Sequence, residues 1–348
     1  MTRLRMAVVG VGSLGQHHAR KLAEATDVEL VAVVDPSENA GREVAERLQT
    51  TWQPSTDRLT KQLDGVVIAT PTTYHLESAL SFIQAGVATF VEKPLAANVS
   101  EAETLWRAAA DHDSLLQVGH IERFNPAFTI AHQRTERPLY IRAQRVAPYT
   151  FRSTDIGVVH DLMVHDIDLI LKLTGEMPVS VDAFGAVGIG PHEDMAVARL
   201  KMPGGAIADI TSSRMSPNVE RSLQIWGPEG CIQADLQSRL VKHWQPQGQF
   251  GQNPALVHAI ASATSDPRTL KDRVFGEWIQ GEEIQGSDED QMSLELEDFK
   301  AAIRGEKPPQ VGGRDGVETM VVAEQVLNAL QVWSYQTSST GGELKKAA

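Results

Sequence analysis

The stretch Met6-Ala7-Val8-Val9-Gly10-Val11-Gly12-Ser13-Leu14-Gly15 decides how the rest of the chain is read. Met6 to Val9 is an apolar run of buried-strand character. From Leu14 through Leu22 the chain has helical character with no breaker, so the glycines fall at a strand-to-helix turn. Gly10 permits the tight turn, Gly12 lets a pyrophosphate come close to the backbone, and Gly15 allows close helix-to-strand packing. The helix N-terminus at Ser13 and Leu14 offers unpaired N–H groups to an anion. A lone G-x-G-x-x-G is weak, because glycine pairs occur in many turns. Here a second apolar run, Glu29 to Val34, follows the helix and ends in Asp35, twenty residues beyond Gly15. A carboxylate there can accept both ribose hydroxyl protons of an adenosine. Asp35 also favours NAD over NADP, since it would repel a 2′-phosphate and Pro36-Ser37 supplies no arginine to bind one. Arg42 is the nearest candidate.

Outward from this turn, βα alternation continues. A helix is expected around Glu38 to Leu48, a strand over Gly65 to Ala69 ending in Thr70-Pro71-Thr72, a helix over Leu76 to Ala85 and a strand over Ala88 to Val91. A further helix is expected over Ser100 to Ala110, with Ser100 as N-cap and Glu103 completing a capping box, then a strand over Leu115 to Val118. Residues 1–120 therefore read as a doubly wound, parallel-sheet domain of Rossmann type.

Residues 121–338 read as a second α/β domain with a large, mainly antiparallel sheet, and 339–348 as a flexible tail. A helix is expected near Asn125-Pro126, an amphipathic helix from about Val158 to Leu173, and six strand-like segments between Ser180 and Trp244 with glycine-rich hairpin turns. Alternation in Ala206-Ile207-Ala208-Asp209-Ile210 and Leu223-Gln224-Ile225-Trp226 leaves one sheet face open, a candidate subunit interface in a dimer or tetramer. The acidic run Gly281 to Asp290 reads as a solvated loop, and helices over Ser293 to Arg304 and Gly316 to Trp333 close the fold.

Composition limits the partners. A formal net charge of −13 over 348 residues argues against polyanionic nucleic acid or an anionic membrane as partner, and leaves room for one small anionic metabolite. With Cys231 as the single cysteine, no cleavable apolar leader and no run long enough to cross a bilayer, the expectation is a cytoplasmic protein.

Hydride transfer from an alcohol needs a proton acceptor beside the reacting carbon, and such groups sit at the carboxyl ends of strands. Glu92-Lys93-Pro94 is such a place. A cationic nicotinamide and partial burial would lower the lysine pKa enough to make it a base near neutral pH. Asp161, His165 and Asp168, at i, i+4 and i+7, are the second candidate group, expected on one helix face that lines a cleft. Zinc ligation is the rival reading of that face, but no second cluster completes a shell, so no metal is expected.

Taken together, Gly10-x-Gly12-x-x-Gly15, Pro71 with His75, Glu92-Lys93-Pro94, Gly119-His120 with Arg123-Phe124-Asn125-Pro126, and Asp161-x-x-x-His165 resemble the Gfo/Idh/MocA family of sugar and inositol oxidoreductases. The resemblance implies a dehydrogenase acting on a CH–OH group with NAD or NADP, and Lys93 and His165 as catalytic pair with Asp161 beside them. Thr70, Pro71, His75, Glu92 and His120 would join the glycine turn along the cofactor. Gly119 to Pro126, Arg152 to Val159 and His165 to Asp168 further resemble the branch that oxidises the 3-hydroxyl of UDP-N-acetylglucosamine or its uronic acid. Arg123, Asn125 and Arg152 are then candidate contacts to the sugar nucleotide, alongside Asp161 and His165, though each equally suits a domain-interface salt bridge or a cap. The branch pattern leads one to expect an aliphatic residue before Asp161, where this chain has His160. Two alternatives stay open: the same fold acting on a free sugar, an inositol or a dihydrodiol, and a ligand sensor without turnover.

Overall fold

The computed structural model describes residues 2–57, 59–60, 62–151, 156–248, 253–263, 267–334 and 344–346. Two compact units divide the chain. One comprises Met1–Phe124 and Glu289–Val321, the other Asn125–Asp288 and Val322–Ala348. The first unit therefore gains a segment that sequence order assigns to the second half.

In the first unit, β1 (Leu4–Val9), β2 (Val28–Val34), β3 (Thr51–Gln53), β4 (Gly65–Ile68), β5 (Ala88–Glu92) and β6 (Leu116–Gly119) form one sheet in the order β3-β2-β1-β4-β5-β6. All its pairings are parallel. The helices are α1 (Ser13–Glu24), α2 (Glu38–Leu48), α3 (His75–Gln84) and α4 (Val99–Asp111). Strands buried on both faces read as apolar runs, and Met6, Val8, Val66 to Ile68 and Phe90 are fully buried. The cap of α4 differs from expectation. Asn98 is the N-cap, accepting from Glu101 N–H at 2.9 Å while Glu101 accepts from the Asn98 amide at 2.9 Å, and Glu103 instead pairs with Arg107. The capping box lies two residues earlier because Asn98-x-x-Glu101 offers the same reciprocal geometry as Ser100-x-x-Glu103.

The late segment is fixed to this unit by charge and by packing. In the helix Gln291–Ile303 and at its cap, Lys300 and Arg304 both bind Asp27, and Lys21 binds Asp290 at 2.7 Å. Burial pushes the Asp27 carboxyl up, but the two cations outweigh it and hold its pKa at about 2. Phe299 packs edge-on against Phe90 at 5.8 Å.

The second unit carries a ten-stranded sheet: β7 (Tyr140–Val146), β8 (Ser180–Val187), β9 (Met195–Lys201), β10 (Ile207–Ser213), β11 (Glu220–Gly227), β12 (Gly230–Asp235), β13 (Leu240–Pro246), β14 (Ile279–Gln285), β15 (Leu330–Ser334) and β16 (Leu344–Lys346). Its order is β14-β13-β12-β11-β7-β10-β9-β8-β15-β16, antiparallel except at β7–β10 and β8–β15. Ile141, Ala143, Ile210, Leu223, Ile225 and Ile232 cover its inner face in one core with Ile167, Ile170 and Leu171. On the other face a register row runs Asp182, Arg199, Asp209, Arg142, with Arg199 forked onto Asp209 at 2.7 Å.

Three expectations are corrected here. Of the run Gly281 to Asp290 expected as a solvated loop, Gly281 to Gln285 belongs to the edge strand Ile279–Gln285, because its acids meet cations: Glu283 binds Lys242 at 2.6 Å and Glu282 binds Arg134 at 3.2 Å; Gly286 to Asp290 is irregular, as expected. The helix Gly313–Ala329 stops before Trp333, since Leu330–Ser334 pairs parallel with β8. Of the tail 339–348, Leu344–Lys346 forms a strand against β15, while 339–343 and 347–348 lie outside the described residues. No helix among the described residues is long and apolar enough to cross a membrane.

Candidate active site

Two of the three glycines of the first turn have a steric reason to be glycine. Gly10 has φ +87°, and a Cβ there would lie 2.6 Å from the Ala69 carbonyl oxygen; at Gly15 a Cβ would come within 1.9 Å of Gly10 O. Around Gly12, by contrast, nothing lies within 4 Å of where a Cβ would stand. Gly12 is also the N-cap of α1, with no side-chain cap and no acid in the first turn, so the helix N-terminus is left to an anion. Asp35 follows β2 and accepts Val11 N–H at 3.0 Å on one oxygen and Ser37 N–H at 2.8 Å on the other. Those bonds fix the carboxylate beside the turn and leave further lone pairs on both oxygens. An open cradle at Gly12 and an oriented acid fit a dinucleotide. Arg42, the next arginine along the chain, binds Glu38 at 2.8 Å and stacks 4.8 Å from the Trp52 ring.

Lys93 leaves the end of β5 half-buried. Before it, Glu92 is 8% exposed and its Oε1 lies 2.6 Å from Nε2 of His18, a fully buried residue of α1. Glu92 Oε2 accepts Lys93 N–H at 3.2 Å. Burial pushes the Glu92 carboxyl up, yet the hydrogen bond and charge of His18, together with Lys93, bring it below its ordinary value. Gly119 pairs with Glu92 in the sheet, and a Cβ on it would stand 2.8 Å from Glu92 Oε2, which accounts for the glycine of Gly119-His120. His75 is buried between two carbonyls, with Nδ1 2.9 Å from Pro94 O and Nε2 2.9 Å from Thr70 O. Burial lowers its pKa more than those carbonyls raise it. Pro71 is exposed, Thr70 half-buried and His120 buried.

Asn125 takes the cap role that was open to it, and Arg123 an ion pair within its own unit and not at a domain interface. Arg123 is 4% exposed and reaches Asp315 at 3.2 Å; Asn125, 1% exposed, caps α5 (Pro126–Gln133) by accepting Ala127 N–H at 3.0 Å while donating to Leu236 O at 2.9 Å. A side chain spent on both its amide atoms is a poor candidate for a ligand contact. Arg152 lies outside the described residues.

The helix of Asp161 and His165 is not a plain α-helix. Val159–Met163 is a π turn, and α6 (Val164–Thr174) follows it, with Val164 N–H bonding five residues back to Val159 O. A π turn of this kind is frequent at functional sites because it re-aims side chains. His160, Asp161, Leu162 and His165 are half-buried, whereas Asp168 is fully buried and so does not share an open stripe with Asp161 and His165 as the α-helical spacing suggests. Asp166, 1% exposed, is gripped by Arg145 of β7 through Nη2 at 2.8 Å and Nε at 3.1 Å. Ahead of the turn, Glu193 accepts Val159 N–H at 3.2 Å. Next to it, Asp194 takes Arg214 Nε at 2.6 Å and three backbone N–H groups of Gly188, Ile189 and Gly190, while Arg214 donates to Ile156 O at 3.0 Å. Sequence reading missed His18, Arg145, Asp194 and Arg214 altogether. Each pairs across a long stretch of chain, and no local spacing marks them. Among the described residues no group of three or more His, Cys, Asp or Glu is placed to hold a metal.

Comparison with known proteins agrees with this anatomy. Residues 4–120 match the model of the oxidoreductase family with an NAD-binding Rossmann fold, and residues 127–233 match the GFO/IDH/MocA C-terminal domain. The chain belongs to the Gfo/Idh/MocA oxidoreductase family. It is 32% identical to UDP-N-acetylglucosamine 3-dehydrogenase of Acidithiobacillus ferrooxidans, over 96% of this chain and 99% of that one. A crystal form of that enzyme superimposes with a TM-score of 0.82, covering 95% and 98% of the two chains at 31% identity. The chain is also 29% identical to scyllo-inositol 2-dehydrogenase (NAD(+)) of Bacillus subtilis, over 66% of this chain and 73% of that one. As a Gfo/Idh/MocA member the protein is an NAD(P)-dependent dehydrogenase acting on CH–OH groups. The family's nucleotide-binding part coincides with the glycine turn and Asp35 described above.

Proposed function

We propose that this protein oxidises the 3-hydroxyl of a UDP-N-acetylglucosamine-type sugar nucleotide to the 3-keto sugar, with NAD as cofactor. One observation carries the reading: over nearly the whole of both chains the identity to the Acidithiobacillus enzyme is 32%, against 27% to the inositol 2-dehydrogenase of Rhizobium meliloti, which also matches nearly end to end. The bound nicotinamide would supply the hydride acceptor. The glycine turn and the N-terminus of α1 would hold its pyrophosphate, and Asp35 the adenosine ribose. NAD over NADP is supported by the charge of Asp35 and by the commitment of Arg42 to Glu38 and Trp52. Lys93 and His165 are the acid–base pair for the substrate hydroxyl proton, and Asp161 orients the hydroxyl or the imidazole. A subunit interface on the open sheet face is supported by the alternating charge of Asp182, Arg199, Asp209 and Arg142, a pattern that a second copy can complement.

Absorbance of NADH, followed with a panel of UDP-sugars, free sugars and inositols, tests the assignment. Turnover with UDP-N-acetylglucosamine or its uronic acid well above the rest is the expected result. A preference for inositols would replace the substrate and leave the dehydrogenase reading in place. Light scattering giving a strict monomer at micromolar concentration would remove the interface.

A further inference from the structure

We infer that Glu193 is a positioning residue for the second unit's half of the active site: from the chain just ahead of β9 it caps the π turn Val159–Met163, and that cap fixes where Asp161 and His165 stand. What their placement does chemically rests on the reading of those two residues given above.

The π turn cannot cap itself. Val158, the residue ahead of it, has no side-chain acceptor, so the first N–H groups must find oxygens elsewhere in the fold. Glu193 supplies two of them. Its carbonyl oxygen accepts Val158 N–H at 3.0 Å, and its Oε1 accepts Val159 N–H at 3.2 Å from 34 positions along the chain. A carboxylate at a helix N-terminus is favoured further by the partial positive charge there. Val159 is the pivot of the turn, because its carbonyl also takes Val164 N–H, the five-residue bond that makes this a π turn. Asp161 N–H returns to Gly157 O at 3.1 Å, and His165 directly follows Val164. Freeing Val159 N–H therefore loosens the turn on which Asp161 stands and from which His165 leads off. In a reacting group, a misplacement of about 1 Å can cost about 100-fold in rate.

The chain that carries Glu193 is itself held firmly. Asp194, fully buried, donates its N–H to Ala186 O at 2.8 Å and accepts Arg214 N–H on its carbonyl at 2.9 Å. Its carboxylate takes Arg214 Nε at 2.6 Å, and Arg214 donates in turn to Ile156 O at 3.0 Å, two residues ahead of Val158. The approach to the π turn is thus gripped at Ile156 and again at Val158 and Val159. The carboxylate of Glu193 also accounts for Gly157, where a Cβ would stand 1.9 Å from Oε1 and 2.1 Å from Oε2. Those atoms end a flexible side chain and can yield, so a methyl at 157 displaces the cap while keeping the carbonyl that serves Asp161. A purely structural glutamate would change stability and leave the folded site as it was.

The test follows amide exchange at Val159 and the ring signal of His165 in 13C-histidine-labelled full-length protein, assigned by its loss in His165→Ala. Glu193→Ala and Gly157→Ala are each expected to speed Val159 exchange about tenfold or more and to shift or broaden the His165 signal. Both should lower kcat with UDP-N-acetylglucosamine about tenfold or more, with NAD affinity kept within about twofold. Glu193→Gln keeps an acceptor oxygen at the same reach and should bring all of these back to near the native values. Unmoved exchange or an unmoved His165 signal in Glu193→Ala overturns the inference, as does a Glu193→Gln effect as large as that of Glu193→Ala. An unchanged kcat in Glu193→Ala beside an impaired His165→Ala overturns it as well. If Glu193→Ala does not fold, Gly157→Ala and Glu193→Gln decide alone. Full turnover in His165→Ala would remove His165 as an acid–base group without touching the exchange or the ring signal, so the two failures are distinguishable.

Discussion

Each unit sets a buried acid beside its proposed catalytic residue, and the two acids are braced differently. Glu92 precedes Lys93 and meets one imidazole at 2.6 Å, with its second oxygen turned to the lysine's own N–H. Asp166 follows His165 and is forked by the Arg145 guanidinium, which cancels its charge where it stands. A single imidazole contact meets one oxygen of a carboxylate, whereas a guanidinium grips it through two nitrogens and neutralises it. The first arrangement is a point contact that joins two distant segments. The second is a clamp that fixes the helix. The lesson is that similar burial, 8% and 1% exposed, goes with a lighter brace in one place and a heavier one in the other.

The comparison breaks most visibly in turnover. Lys93→Met and His165→Ala should each lower kcat/KM by about 100-fold or more, the range expected for losing a positioned acid–base group, with NAD affinity largely kept. The double variant should lose much less than the product of the two, since groups that act as a pair are not additive. Asp161→Asn should fall between these and the native enzyme, because it removes a charge and keeps the shape. Steady-state kinetics alone decides this. A loss confined to one of Lys93 and His165 would make the two units unequal in chemistry as well as in bracing.

Stability separates the clamp from the point contact. Arg145→Met strands Asp166 as a buried carboxylate and should cost about 3–5 kcal/mol, read from the denaturant midpoint at unchanged m. Asp166→Asn strands the guanidinium and should cost a similar amount. Glu92→Gln keeps a side-chain oxygen for the His18 contact and should cost about 1–2 kcal/mol. Equal costs at the two sites would mean that Glu92, too, is mainly an anchor.

This contrast also marks where sequence reading stops. The strand-turn-helix of Val9 to Gly15 and the acid at Asp35 were legible because their geometry is local: a φ of +87° at Gly10 and a carboxylate one βαβ unit on are written in a few adjacent residues. Alternation likewise exposed the two faces of β10 and β11. His18 against Glu92, Arg145 against Asp166 and Asp27 against Lys300 are meetings of distant segments, and nothing in either partner's neighbourhood announces the other. Gly281 to Gln285 read as part of a loop for the same reason, since its acids become strand residues only beside Lys242 and Arg134. The π turn at Val159–Met163 left no periodic trace, because one extra residue in a single turn shifts the pattern by too little to show.

A smaller effect is expected at the nucleotide. Asp35→Ser should weaken NAD by about tenfold or more while NADP changes less, since the variant loses the ribose contact and the repulsion of a 2′-phosphate together. Fluorescence titration with each dinucleotide measures it. Equal losses would detach Asp35 from cofactor choice and leave it a structural link between Val11 and Ser37.

The smallest effect belongs to His160, where an α-helical reading and the structure disagree. On an α-helix, residues five apart lie about 140° from each other, so His160 would point away from His165 and be free to vary. Val159–Met163 is a π turn, whose hydrogen bonds run five residues back, and this brings residue 160 round toward the side of residue 165. His160 is indeed half-buried, like Asp161 and His165. It should then touch what His165 serves without doing its chemistry. His160→Val is expected to raise the substrate KM about three- to tenfold and to leave kcat within about twofold, the signature of lost binding that is equal in ground and transition states. No change in either constant would return His160 to the outer side of the helix and reduce the π turn to a local irregularity. A fall in kcat of about 100-fold, matched by a mild His165→Ala, would move the acid–base role from His165 to His160, and the family pattern would have to be read one π turn earlier on this helix.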